Sequence, residues 1–177
     1  MQTDVIKLIF AEFEDNFSFF FGPCDRGFTN EAIIKLYSRC YRPQPNGRQK
    51  LVEAQYKVME IYFTLEGAFG IFNPKLKPWK GQPQADEQPA VLLPRHTVFG
   101  DYQLLFDLYP RMEFCPFSPG QCTSKANMKE LGADGKVSEW RAMCLAAEDF
   151  EELCELYPDT AESLKVQGLM KRKMFMK

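Results

Sequence analysis

The stretches EIYFTLEG (Glu60 to Gly67) and FGDYQLL (Phe99 to Leu105) decide the fold of this chain. Apolar residues alternate along the first, which predicts a half-buried strand that turns at its final glycine. The second predicts a strand end that breaks at Gly100 and restarts as a short leucine-rich helix. A glycine followed by an acid at a helical start presents backbone N–H groups to an anion, with a carboxylate beside them. The pair therefore predicts a strand framework with a candidate cradle for a ribose and a phosphate.

The bulk composition limits what the chain can do. It has 177 residues, a formal net charge of −2 and 16 phenylalanines. This length fits one domain with helical extensions, and the phenylalanines supply a large core. The charge gives no basis for nucleic-acid binding, which usually needs a basic face. No apolar run approaches the ~18 residues of a membrane span, and the N-terminus lacks a secretory signal, so we expect a cytoplasmic location.

The residues that usually carry catalysis or bind metals are sparse. The chain has one histidine, and its six cysteines form no CxxC pair. Such a set offers little for a zinc site or another metal centre. The sequence also has no Ser/His/Asp arrangement and no Walker loop. We therefore expect no catalytic residues, no metal and no cofactor, and we do not expect an enzyme.

The remaining secondary structure follows from periodicity and from turn residues. The predicted helices are residues 4–21, as one or two segments, Glu31 to Tyr41, and two closing helices. Pro158 is predicted to break the first closing helix, and Asp159 or Thr160 to cap the second. The predicted strands are 50–52, 58–65, 68–72, 91–99, 112–117 and 137–145. Residues 73–90 and 118–136 are predicted to be loops. This order indicates an α+β domain with a compact antiparallel sheet.

Three stretches, in this order and spacing, resemble the cyclic nucleotide-binding domain found at the cytoplasmic C-terminus of cation channels, potassium channels among them. They are EIYFTLEG, FGDYQLL and Cys144 to Tyr157 (CLAAEDFEELCELY), the last matching the family's final strand and first closing helix. The resemblance covers residues 28–177, and residues 1–27 fall where channel relatives carry the end of the linker. It implies an antiparallel, jelly-roll-like β-roll flanked by N-terminal helices and two C-terminal helices.

The resemblance also implies a ligand site for cAMP or cGMP. In the family, a short cassette helix presents N–H groups to the cyclic phosphate, and the last helix closes over the base. The residues that carry over are Phe99, Gly100, Asp101, Tyr102, Gln103, Arg111 and Arg172. Gly100 would allow close backbone approach, Asp101 would accept the ribose 2′-hydroxyl, and Arg111 would pair with the phosphate. Tyr102 and Gln103 would supply backbone donors.

Several positions depart from the family's pattern. Asp101 is one methylene shorter than the usual Glu. The family's Arg-x-Ala-Thr falls on Arg111 to Phe114, so Glu113 and Phe114 replace a small residue and a hydroxyl. A carboxylate close to a cyclic phosphate is repulsive and costly to bury there. These departures favour a homology domain that has lost the nucleotide and fills the cleft with its own side chains.

Each candidate residue also has a structural alternative. Gly100 could supply only a backbone angle, and Asp101 only a helix cap. Arg111 could be an ordinary surface residue. Lys171 to Lys173 could form a solvated helix end, a lid over the base or a contact with acidic lipid headgroups.

Three functions remain open on the sequence. They are a ligand-free regulatory domain of a cation channel, a working cAMP or cGMP sensor, and a non-channel scaffold with the same fold. In a channel the partners would be the transmembrane region and the neighbouring subunits of a tetramer, with no nucleic acid.

Overall fold

A computed structural model describes residues 2–41, 49–73, 90–116 and 140–175. They form an α+β fold of two antiparallel sheets flanked by helices, as the sequence predicts. The elements, in chain order, are α1 (Gln2–Asn16), α2 (Ser18–Phe21), α3 (Arg26–Lys35), β1 (Tyr37–Tyr41), β2 (Glu60–Glu66), β3 (Phe69–Phe72), β4 (Val91–Leu92), β5 (Val98–Phe99), α4 (Asp101–Leu105), β6 (Glu113–Pro116), β7 (Trp140–Ala146), α5 (Ala147–Leu156) and α6 (Pro158–Phe175). None of these helices is long and apolar enough to cross a bilayer. Nearly all of the two predicted loops lies outside the described residues.

The two sheets enclose an aromatic interior. The larger has the strand order β1-β7-β2-β5, and the smaller has the order β4-β3-β6. In the larger sheet, Tyr62 is paired with both Cys144 and Phe99, so these three side chains share a face. That face packs against Phe69 and Phe114 of the smaller sheet. Strand β2 is present as predicted, but the prediction of a half-buried strand is wrong, because Glu60 to Thr64 are buried on both faces.

The opposite face of the larger sheet is covered by the N-terminal helices. Phe63, which is fully buried, is surrounded by the rings of Phe13, Phe17, Phe20 and Phe21, with centroid distances of 5.2 to 5.8 Å. Three of these pairs are tilted or edge-on and the Phe21 pair is stacked, and aromatic pairs of these kinds contribute beyond their buried area. The phenylalanine-rich start of the chain is therefore packed into the core of the sheet.

The predicted helix over Glu31 to Tyr41 is wrong at both ends. Helix α3 begins earlier, at a cap formed by Asp25, whose side chain accepts a hydrogen bond from the Gly27 N–H at 2.8 Å. It ends before Leu36, and Tyr37–Tyr41 is a strand paired antiparallel with β7. Pairing with a distant strand overrides the local helical pattern, because all five residues of β1 are in register with β7.

The predicted strand over 91–99 is two short strands instead of one. They are separated by residues 93–97, which include Pro94 and His96. His96 has a φ of +59°, a left-handed conformation that no continuous strand can contain. Proline at position 94 likewise lacks the N–H that a strand ladder needs. The break places β4 and β5 in different sheets.

Candidate functional site

Gly100 begins the predicted cassette helix in a conformation that favours glycine. Its φ is +104°, and its carbonyl accepts a hydrogen bond from the Leu104 N–H at 3.2 Å. A Cβ at this position would lie 2.8 Å from the carbonyl oxygen of Glu60 on β2. The fold therefore requires glycine here, for its backbone angle and for its close approach to β2. Asp101 lies in the first turn of α4, and its contact with a ribose stays a prediction.

Backbone hydrogen bonds join Tyr102 and Gln103 to the residues that follow the cassette helix. Their carbonyls accept hydrogen bonds from the N–H groups of Phe106 (3.1 Å) and Leu108 (2.8 Å). The rings of Tyr102 and Phe106 lie 4.8 Å apart, and a Cβ at Gly168 of α6 would lie only 3.1 Å from the Tyr102 ring. The absence of a side chain at Gly168 thus lets α6 dock directly on α4.

An aromatic stack fills the interior next to the cassette. Phe99 lies directly before Gly100, and its ring stacks on Phe114 with centroids 4.6 Å apart and planes inclined by 8°. Phe114 also stacks on Phe69 at 5.5 Å and contacts Tyr62 at 5.3 Å. Phe114 is fully buried. It is therefore a central residue of the interior, whereas in the sequence it is visible only as a departure from the family's pattern.

Glu113 lies on the opposite face of β6. Side chains alternate along a strand, so Glu113, paired with Phe72, points away from the face of Phe114, paired with Ile71. The buried Glu113 carboxylate is 3.1 Å from the Lys50 ammonium, and a hydrogen bond from Lys50 to it raises the pKa of Lys50. The charge of Glu113 is thus balanced outside the aromatic interior. Of the two replaced positions, only Phe114 enters that interior.

The two candidate arginines belong to different elements of the fold. Arg111 is exposed at a bend just before β6. The bend is fixed by the carbonyl of Pro110, which accepts a hydrogen bond from the Gln55 N–H at 2.8 Å. Arg172 lies in α6, and its side chain is outside the described part of the chain. The roles of both arginines toward a phosphate or a base stay predictions.

A partly buried polar cluster, which was not predicted from the sequence, lies on the inner face of the larger sheet. Glu60 forms an ion pair with Arg39 at 2.6 Å, and the Arg39 guanidinium lies 5.5 Å from the centroid of the Tyr37 ring. Burial, and next the charge of Glu60, raise the pKa of the Cys144 thiol to about 12. The available signal was the alternation of Tyr37, Arg39 and Tyr41, which the helical interpretation of this segment concealed. The described residues bring together no metal-binding group of three or more acidic, histidine or cysteine side chains.

Comparison with known proteins finds similarity in structure. No protein-family model and no curated protein matches the chain. The catabolite activator protein of Thermus thermophilus gives a TM-score of 0.54 at 16% identity, over 89% of this chain and 59% of that one. The C-linker/CNBHD of zELK channels, crystallized in the presence of cAMP, gives 0.56 at 11% identity, over 84% and 58%. A protein of Geobacter metallireducens GS-15 assigned as a cyclic nucleotide-binding protein gives 0.56 at 9% identity, over 85% and 86%.

These similarities define the class of fold. The chain has the antiparallel, jelly-roll-like α+β fold of cyclic nucleotide-binding domains, which confirms the predicted fold class. At identities of 9% to 16% they show the fold alone. The chain spans 59% and 58% of the length of the first two structures.

Proposed function

We propose that this chain is a regulatory domain of a cation channel that keeps the cyclic nucleotide-binding fold, binds no nucleotide, and modulates gating. The proposal rests on the position of Phe114 in the interior. Phe114 replaces a hydroxyl-bearing residue of the family's pattern, it is fully buried, and it stacks between Phe99 and Phe69. The chain's own aromatic side chains fill this interior. A nucleotide could enter only by displacing well-packed rings, and the loss of their packing would be costly in free energy.

The channel part of the proposal has separate support. The zELK structure combines this fold with a C-linker, and it covers 84% of this chain. In this chain, α1 and α2 precede the roll and pack directly on β2 through Phe13 and Phe20. A displacement of the sheet would therefore move these helices, which is the mechanical property that a gating element needs. A scaffold outside a channel would use the same fold, and a parent sequence with membrane spans would separate the two.

A direct titration tests whether the domain binds nucleotide. We expect no binding heat and no rise in melting temperature when the full chain is titrated with cAMP or cGMP up to millimolar concentration. A saturable heat with either nucleotide would contradict the proposal and establish the sensor function instead. The cassette geometry favours that second candidate, since Gly100 keeps its left-handed conformation and Asp101 its place in the first turn of α4.

A matched pair of variants tests the physical cause. Phe114→Ala removes a ring from the interior, and we expect it to gain weak, millimolar nucleotide binding. Phe72 is also buried, but it pairs with Glu113 and so lies on the face opposite to Phe114. We expect Phe72→Ala to gain no nucleotide binding. Circular dichroism would verify that both variants are folded, because each change costs about 3–5 kcal/mol. If both folded variants fail to bind, aromatic filling is not what excludes the nucleotide.

A further inference from the structure

The outward side of α6 carries an apolar patch beyond Glu162, whose exposed carboxylate pairs with Lys165 at 3.6 Å. On the inward face, Leu164 is buried and Gly168 lies against the cassette helix. On the other side, Val166, Leu169 and Met170 are 55%, 46% and 59% exposed. Residues three and four apart on a helix are neighbours on its surface, so the three side chains form one patch. We call Val166, Leu169 and Met170 the outer patch.

The same helix runs into a strongly basic sequence. From Ser163 to Lys177 the chain has five basic residues and no acidic residue. The basic residues are Lys165, Lys171, Arg172, Lys173 and Lys177. The net charge of −2 therefore comprises +5 in this segment and −7 in the rest of the chain. This separation of charge gives the end of α6 an affinity for anions that the remainder of the protein lacks.

We propose that the outer patch and the basic end of α6 bind the surface of an anionic lipid bilayer. A helix with an apolar face and clustered lysine and arginine lies in the headgroup region, where burial of apolar area and attraction to anionic lipids act together. The apolar component is exposed on the side of α6 away from its contact with α4, and the basic component follows it directly in sequence. The proposal does not depend on whether the roll binds a nucleotide.

Vesicle flotation with the full chain tests this proposal. We expect the protein to float with vesicles of phosphatidylcholine and phosphatidylserine and not with phosphatidylcholine alone, and to dissociate at high salt. The variant K171Q/R172Q/K173Q should weaken partitioning by about 100-fold, since each basic residue near an anionic surface contributes roughly a factor of five. The control K57Q/R95Q/R141Q makes the same change in charge at exposed basic residues elsewhere and should bind nearly as well as the unmodified chain.

A second variant separates bilayer insertion from simple anion binding. V166Q/L169Q keeps every charge and removes two side chains of the outer patch, so partitioning should fall by about tenfold or more. Inorganic phosphate should not displace the protein from vesicles beyond the effect of its ionic strength. Thermal unfolding would verify that these variants stay folded, as expected for changes at exposed positions.

Several outcomes would overturn the proposal. They are equal flotation with neutral and anionic vesicles, no flotation with either, and an equal loss in K57Q/R95Q/R141Q. An unaltered V166Q/L169Q together with displacement by phosphate would show an anion site only. Binding to an acidic helix-capturing protein such as calcium-loaded calmodulin, without binding to vesicles, would assign the outer patch to a protein partner.

Discussion

Phe114 and Glu113 are adjacent in sequence, but their side chains point to opposite faces of β6 and therefore have different effects. Phe114 faces the aromatic interior, and Glu113 faces the other way and pairs with Lys50. The sequence identifies both as departures from the family's pattern. It does not reveal which one enters the interior, because a shift of one residue in strand register would exchange their faces. That register is set by pairing with β3, which a local pattern does not contain.

The buried thiol of Cys144 predicts a loss of stability at alkaline pH. Burial is the largest cause that raises its pKa from 9.0 to about 12. Between these values the unfolded chain has released a proton that the folded chain retains. The contribution of this thiol to the free energy of unfolding is therefore fully present below pH 9. Above pH 9 it falls by up to about 1.4 kcal/mol per pH unit. We expect Cys144→Ala to reduce the slope of unfolding free energy measured in urea across that range.

Cys40 provides the control for this experiment. It is exposed on β1, whose strand partner is β7, the strand of Cys144. Cys40→Ala should keep the slope of the unmodified protein. Burial also raises the pKa of Cys24 to about 12 and that of Cys154 to about 11, so the slope should decrease in Cys144→Ala without vanishing. Equal slopes of unfolding free energy against pH in Cys144→Ala and Cys40→Ala would show that the Cys144 thiol does not cause the alkaline loss of stability.

Among the elements, those that carry a local signal are predictable, and a segment whose local pattern conflicts with its distant pairing is not. Helix α5 follows from amphipathic spacing, and it ends before Pro158 as predicted, whereas α6 begins at Pro158 itself and not after a cap at Asp159 or Thr160. The cassette helix follows from Gly100, whose left-handed backbone is a local requirement. The segment Tyr37–Tyr41 is strand because it pairs with β7, about one hundred residues later. Its helical interpretation fails for that reason, and the Arg39–Glu60 ion pair is missed with it.

The contact between α4 and α6 predicts the effect of one substitution. A side chain at Gly168 would meet the Tyr102 ring, whose nearest atom lies 3.1 Å from an ideal Cβ. We expect Gly168→Leu to separate the two helices, because overpacking of this kind costs about 1–3 kcal/mol. Hydrogen exchange measured by mass spectrometry should then become faster in α4 and in the second half of α6, with the two sheets unchanged.

Gln167→Leu is the matched control, since it adds the same side chain at an exposed position one residue earlier. It should leave the exchange rates of α4 unchanged. Gly168→Ala is less informative, because the higher helix propensity of alanine offsets part of the steric cost of its methyl group. The same acceleration in Gln167→Leu and Gly168→Leu would show that close packing at Gly168 does not hold the helices together.

At the scale of the whole molecule, the start of the chain packs against the β-roll. The sequence divides into residues 1–27 and 28–177 by resemblance to channel relatives. In the structure, Phe17, Phe20 and Phe21 are buried against Phe63 on the outer face of β2. The backbone N–H of Asp25 also donates to the Thr160 hydroxyl at the start of α6, at 3.1 Å. These contacts join the chain's beginning to its end and to the sheet between them.

A chain of residues 28–177 should therefore be far less stable than the full chain. It would lose three buried phenylalanines at about 1.5–3 kcal/mol each, against a typical total stability of about 5–15 kcal/mol. Urea unfolding followed by circular dichroism measures the difference. A chain of residues 10–177, which keeps Phe13, Phe17, Phe20 and Phe21, is the control and should retain most of the stability. Equal midpoints for the two truncated chains would mean that α1 and α2 lie on the sheet without stabilising it, and motion of the roll would then have no firm connection to the segment that precedes it.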